Sequence, residues 1–162
     1  MRLGVGRILH RALAAIVAAL IVGQALGCTT GVAESRTGIE YIKADRSRPL
    51  PFSDAVRVGN LLFVSGQLGV DERLQPVAGG IQAETRAAMN HIRRIVEASG
   101  ASMERVVKCT CMLADMSEWQ KMNEVYVTYF PPDRLPARSA FEAGRLALGA
   151  RVEIECIAAV GE

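Results

Sequence analysis

The chain has 162 residues, half of them apolar, and a formal charge of +2 at neutral pH. That length makes one domain with a proper hydrophobic core and leaves no room for a second. Three of the arginines sit near the N-terminus and no strongly basic patch or charged tail follows, so nucleic acid is not indicated as a partner.

Arg2, Arg7 and Arg11 open the chain, an apolar run from Leu13 to Leu26 follows, and small residues come next, which is the order of a secretory leader. The run is shorter than the ~20 residues a spanning helix requires, and Gly23 and Gln24 weaken it. Ala25-Leu26-Gly27-Cys28 resembles a lipobox with its large aliphatic residue displaced by one place. Cleavage that leaves a lipid-bearing Cys28 and ordinary cleavage after Gly27 or Ala33 are both open. The expected organisation is a leader over 1–27, a polar linker over 28–39 and a folded domain over 40–162. The protein is then exported, either periplasmic or lipid-anchored at the membrane surface.

Within the domain, Glu40 to Lys43 and Ala55 to Val58 are predicted strands, and Gly59-Asn60 makes a tight turn into a third, Leu61 to Ser65. A loop runs to Gly80. Ile81 to Ser99 has helical spacing, with Ile81, Ala88, Met89, Ile92, Ile95 and Val96 on one face and Gly100 as its stop. Val106 to Leu113 alternates as a strand. Ser117 and Gln120 are spaced as a capping box for a second helix that carries Trp119, Met122, Tyr126 and Phe130 on one face and ends at Pro131-Pro132. Ala137 to Ala143 and Arg151 to Val160 complete a set of six strands.

The helix-bearing connections favour parallel pairings, and two helices cover only one face of such a sheet. Alternation puts Val152, Ile154, Cys156 and Ala158 on one face of the last strand and Glu153, Glu155, Ile157 and Ala159 on the other. A second face with both apolar residues and carboxylates calls for a covering subunit, so a homo-oligomer is expected. Cys109, Cys111 and Cys156 lie in apolar alternating runs and read as small buried hydrophobes. A disulfide to Cys156 requires neighbouring strands. The two histidines, His10 and His91, cannot assemble a His/Cys metal cluster with the usual spacing, so no metal is expected.

Arg138, in Pro136-Ala137-Arg138-Ser139, offers a planar guanidinium suited to gripping a carboxylate, although spacing alone favours a structural ion pair with Glu142 or Glu153. Glu153 shares a strand face with Glu155, and a partly buried carboxylate there could shuttle protons to and from water. It comes near Arg138 if the last two strands are neighbours. Asn123 stands beside the apolar face of the second helix, where its amide needs a partner. Ser65-Gly66 ends a buried strand, and the glycine permits close backbone approach. No nucleophile elbow, phosphate loop or dinucleotide fingerprint is present.

Taken in order, Pro51-Phe52-Ser53-Asp54-Ala55, Val58 through Gln67, Met122-Asn123-Glu124-Val125-Tyr126, Pro136-Ala137-Arg138-Ser139 and Val152 through Ala158 resemble the RidA (YjgF-type) imine/enamine deaminases. The resemblance implies an α+β, chorismate-mutase-like fold: a six-stranded mixed sheet, two helices on one face, and a homotrimer with active sites in the clefts between subunits. It implies hydrolysis of small 2-imino or enamine carboxylates of the 2-iminopropanoate type to 2-oxo acids and ammonia, with no cofactor. By position, Arg138 grips the substrate carboxylate and Glu153 activates water, while Asn123, Ser65, Gly66, Phe52 and Ala140 line the cleft. Two positions depart from the family pattern: Phe52 replaces a tyrosine and Ala140 a cysteine, although the latter position acts chiefly through its backbone carbonyl. Export is also unusual for the family. The alternatives are a non-catalytic trimeric protein that binds a small carboxylate or a partner, and a hydrolase for a bulkier substrate.

Overall fold

A computed structural model describes residues 38–43 and 50–161. The expected leader, and all but the last two residues of the expected linker, lie outside the described residues. The strands are β1 (Ile39–Ile42), β2 (Ala55–Val58), β3 (Leu61–Leu68), β4 (Val106–Leu113), β5 (Ala137–Glu142) and β6 (Val152–Ala159), with helices α1 (Gly80–Ala98) and α2 (Trp119–Tyr126) between them. They form a six-stranded sheet in the order β1-β2-β3-β6-β4-β5. Among the described strands only β4 and β5 pair in parallel. β3 and β4 both run antiparallel to β6, which lies between them, so the α1 crossover joins strands that are parallel but not adjacent.

Each element follows from local chemistry. Val58 pairs with Leu61, so β2 and β3 are joined by a two-residue turn, and Gly59 adopts φ 58° at its first position, where a side chain would be strained. α1 ends where Gly100, at φ 79°, returns its N–H to the carbonyl of Glu97. The second helix is entered differently from the expected capping box. Asp115 is the cap, its carboxylate accepting the Ser117 N–H at 2.8 Å, and a single 3-10 turn over Met116–Glu118 precedes α2. Asp115 sits one residue after β4 and its adjoining Ala114, so it meets the free N–H groups before Ser117 can.

One face of the sheet meets the helices. Leu62, Val64, Cys109, Cys111, Leu113, Val152, Ile154 and Cys156 pack there against Met89, Ile92, Val96, Met122 and Tyr126. Fully burying side chains of this size stabilises by about 1.5–3 kcal/mol each. The assignment of β6 faces by alternation agrees with the observed burial along Val152–Ala159.

The three domain cysteines are not all free thiols, contrary to expectation. All three side chains are buried, but Cys109 and Cys156 are direct register partners on β4 and β6 and form a disulfide, leaving Cys111 as the free thiol. The antiparallel insertion of β6 beside β4 brings the two together.

Glu84 on α1 is only 3% exposed. Its carboxylate accepts the backbone N–H of Arg151 at 2.7 Å, and the Arg151 guanidinium reaches Glu118 at 2.9 Å. Burial pushes the Glu84 carboxyl above its ordinary value, opposed by the Arg151 hydrogen bond. This network ties α1, the turn before α2 and the entry to β6 into one frame.

Candidate active site

The candidate residues fall into two groups, on opposite faces of the sheet. Arg138 pairs with Cys109 and Ala140 with Cys111, so both point to the helix face. There the Arg138 Nη1 donates to Asn123 Oδ1 at 2.6 Å. The guanidinium carbon lies 4.8 Å from the Tyr126 ring centroid and 5.8 Å from that of Trp119. Trp119, Asn123 and Tyr126 are one helical turn apart in succession, which is why one face of α2 presents all three to β5. The two rings flank the cation within cation–π distance, an interaction of about 0.5–2 kcal/mol, and Asn123 fixes its rotation. Several guanidinium N–H groups remain for a carboxylate.

Two further groups lie near this cation. The Tyr126 hydroxyl is buried with no hydrogen-bond partner among the described residues, and burial raises its pKa. Burial also pushes the Cys111 thiol up to about 11, which keeps it protonated and unreactive at neutral pH.

The second group is built on β3, β6 and the segment before β2. Glu153 pairs with Met112 and Leu68 on the face away from the helices. A register shift in β3 between Val64 and Gln67 brings Gly66 against the Glu153 carboxylate. Ser65 Oγ donates to the carbonyl of Ser53 at 2.7 Å, fastening the segment that carries the half-exposed Phe52. Burial, and secondly the like charge of Glu155, raise the Glu153 carboxyl above its ordinary value. Among the described residues no side chain pairs with or donates to it.

Within one chain, then, Arg138 and Glu153 do not meet. The last two strands are not neighbours, since β4 stands between them. Arg138 makes neither of the ion pairs open to it from spacing; its partner is Asn123. The partner that the Asn123 amide needs is this strand arginine. The role of Trp119 and Tyr126 as a ring shelf was missed in the sequence, although their spacing around Asn123 carried the signal. Among the described residues no group of three or more His, Cys, Asp or Glu side chains is placed to hold a metal ion.

The two glycines of β3's end separate function from stability. A Cβ at Gly66 would overlap the Glu153 Oε1, the movable end of a side chain, whereas one at Gly69 would overlap the backbone of Glu84 in α1. Gly66→Ala is expected to displace the carboxylate and lose activity while unfolding within about 1 kcal/mol of the parent. Gly69→Ala must push the helix away and is expected to cost about 3 kcal/mol. Denaturant melts beside activity assays check both.

The sequence profile described as Endoribonuclease L-PSP matches residues 46–160. The mouse protein named 2-iminobutanoate/2-iminopropanoate deaminase is 43% identical over 112 residues, 68% of this chain and 82% of the mouse protein. The chloroplastic Reactive Intermediate Deaminase A of Arabidopsis thaliana is 41% identical over 109 residues, 67% of this chain and 58% of its own length. Among solved structures, RidA from an Antarctic Psychrobacter is 36% identical with TM-score 0.65, covering 74% of this chain and 94% of the other. A Rid-family protein from Yersinia pestis is 29% identical with TM-score 0.71, covering 76% of this chain and all of the other. On the extent of these matches, and on a six-stranded mixed sheet with its two helices on one side, the chain belongs to the YjgF/RidA family.

Proposed function

We propose that this protein hydrolyses 2-imino acids, in the manner named for its mammalian relatives, at a site shared between two copies of the chain. The observation that carries this reading is the pair of half-sites. One chain offers a ring-flanked guanidinium with spare donors, and on its opposite face a partly buried carboxylate with no side-chain partner among the described residues. Neither half is complete alone. The face that holds Glu153 also bears Tyr41, Leu61, Phe63 and Phe141, all substantially exposed. An apolar area of that kind favours burial against another copy, in keeping with a trimer.

The chemistry asked of the site is modest. Arg138 of one copy binds the substrate carboxylate and so sets the C=N carbon in place. Glu153 of the next takes a proton from water as the oxygen adds to that carbon, then returns it to nitrogen. The carbinolamine collapses to the 2-oxo acid and ammonia. One positioned proton shuttle is worth about 10²–10⁴-fold. Ser65 and Gly66 shape the backbone beside Glu153; Asn123 orients Arg138; Phe52 and Ala140 lie at the margins of the two halves.

Generating 2-iminopropanoate with an amino-acid oxidase and trapping it with semicarbazide tests the reading. Wild type is expected to lower the semicarbazone yield; an unchanged yield leaves the non-catalytic carboxylate-binding alternative. The pH profile is a sharper check. Glu153 must be ionised to act as base, so kcat/KM rises with pH through its raised pKa. The acid limb is expected above the ordinary carboxylate value of 4.5. Glu155→Gln should move it down, because one like charge is gone, and Glu153→Gln should erase it.

We also propose that the mature domain works outside the cytosol. The leader pattern supports this, and so does a Cys109–Cys156 disulfide, since such bonds persist in oxidising compartments. Attachment through a lipid at Cys28 is one form this would take.

A further inference from the structure

We infer that Trp119 forms the side-chain wall of the substrate site and makes this protein prefer 2-imino acids with bulky apolar side chains over 2-iminopropanoate. This rests on the carboxylate-binding role proposed for Arg138.

Trp119 is out of keeping with its neighbours. Met122, Tyr126 and Phe130 share its face of α2 and its extension, and all are buried, yet the indole is 39% exposed. It is the only tryptophan in the chain. On the single chain that outer surface packs against nothing else described, so it is open to a group bound beside Arg138.

What binds beside it is constrained by Arg138. The guanidinium carbon is 5.8 Å from the indole centroid, and Asn123 holds Nη1 on the α2 side. A carboxylate taken by the remaining N–H groups places the substrate's imino carbon and its substituent next to Arg138. A methyl substituent is too short to cover the indole. A benzyl or isobutyl group reaches it and removes apolar surface from water on both sides. The other half-site is of the same character, because Phe52 offers an exposed ring with no hydroxyl to hydrogen-bond a polar substituent.

Because the chain has a single tryptophan, its emission reports this contact without any turnover. Excited at 295 nm, the assembled wild-type protein is titrated with 3-phenylpropanoate and with propanoate. The larger carboxylate is expected to change Trp119 emission at concentrations at least about tenfold lower than the smaller, and Arg138→Ala is expected to abolish the response. In the trapping assay, imines generated from phenylalanine and alanine give a selectivity ratio in kcat/KM. Trp119→Ala is expected to lower that ratio by about tenfold or more, while Trp119→Phe retains most of it. Should Trp119→Ala fail to fold, the titration and Trp119→Phe decide. Equal response to both carboxylates, or a selectivity ratio untouched by Trp119→Ala, overturns the inference and leaves imine hydrolysis standing. Absence of turnover for both imines overturns the deaminase reading, and the fluorescence titration then still accepts or rejects Trp119 as the wall of a carboxylate site.

Discussion

Arg138→Ala and Glu153→Gln proteins are each expected to lose imine hydrolysis by about 10²–10³-fold, yet to recover part of it when unfolded together and refolded as a mixture. The individual losses follow from chemistry. Without the guanidinium the carboxylate is unheld and the C=N carbon has no fixed place relative to water. Without an ionisable carboxyl no group takes the proton. Arg138→Lys should not rescue the first loss. A lysine lacks the planar fork, loses the guanidinium's contact with the Tyr126 and Trp119 rings, and leaves the Asn123 hydrogen bond at the wrong reach. The recovery follows from topology. If each site draws Arg138 from one copy and Glu153 from another, an equal mixture forms about a quarter of its sites from the two intact halves. A site contained within one chain would show no recovery. The trapping assay on the refolded mixture, normalised to equally treated wild type, reads the result.

Reduction of the Cys109–Cys156 disulfide is expected to destabilise the domain by about 4 kcal/mol, from the loop entropy released when a bond spanning 47 positions is opened. For a domain of this size the thermal midpoint should fall by on the order of 10 °C or more. Thermal melts with and without a reductant, after thiol exchange under partial denaturation, measure it. The bond joins the strands that carry the centre of the sheet, so its loss loosens β6 and with it Glu153. Peptide mapping of protein recovered from the cells that make it should find the two cysteines linked and Cys111 free. The mass of its N-terminal peptide shows whether the leader is removed and whether Cys28 carries lipid. Equal melting points in both redox states would remove the disulfide's stabilising role and, with it, its support for an extracytosolic setting.

Much of this protein was legible along the chain. Helical spacing from Ile81 to Val96 and period-2 alternation from Val152 to Ala159 each assign a buried side, because a residue's face relative to its own axis depends only on the local repeat. Turn chemistry at Gly59 and Gly100 marked boundaries to within a residue or so, and the ordered motifs from Phe52 to Glu153 pointed to the family. The helix cap was misread because Ser117 and Asp115 both satisfy local capping rules, and which one reaches the free N–H groups depends on where β4 releases the chain.

Three features were decided only by tertiary structure: the insertion of β6 between β3 and β4, the pairing of Cys109 with Cys156, and the placement of Arg138 and Glu153 on opposite faces. Alternation says which residues of one strand point together but nothing about which strand lies beside it. That choice is made by long-range pairing, and here it puts β4 between the arginine and the carboxylate. The sequence thus marks Arg138 and Glu153 as the candidate side chains, while the order of the strands settles that one copy does not bring them together.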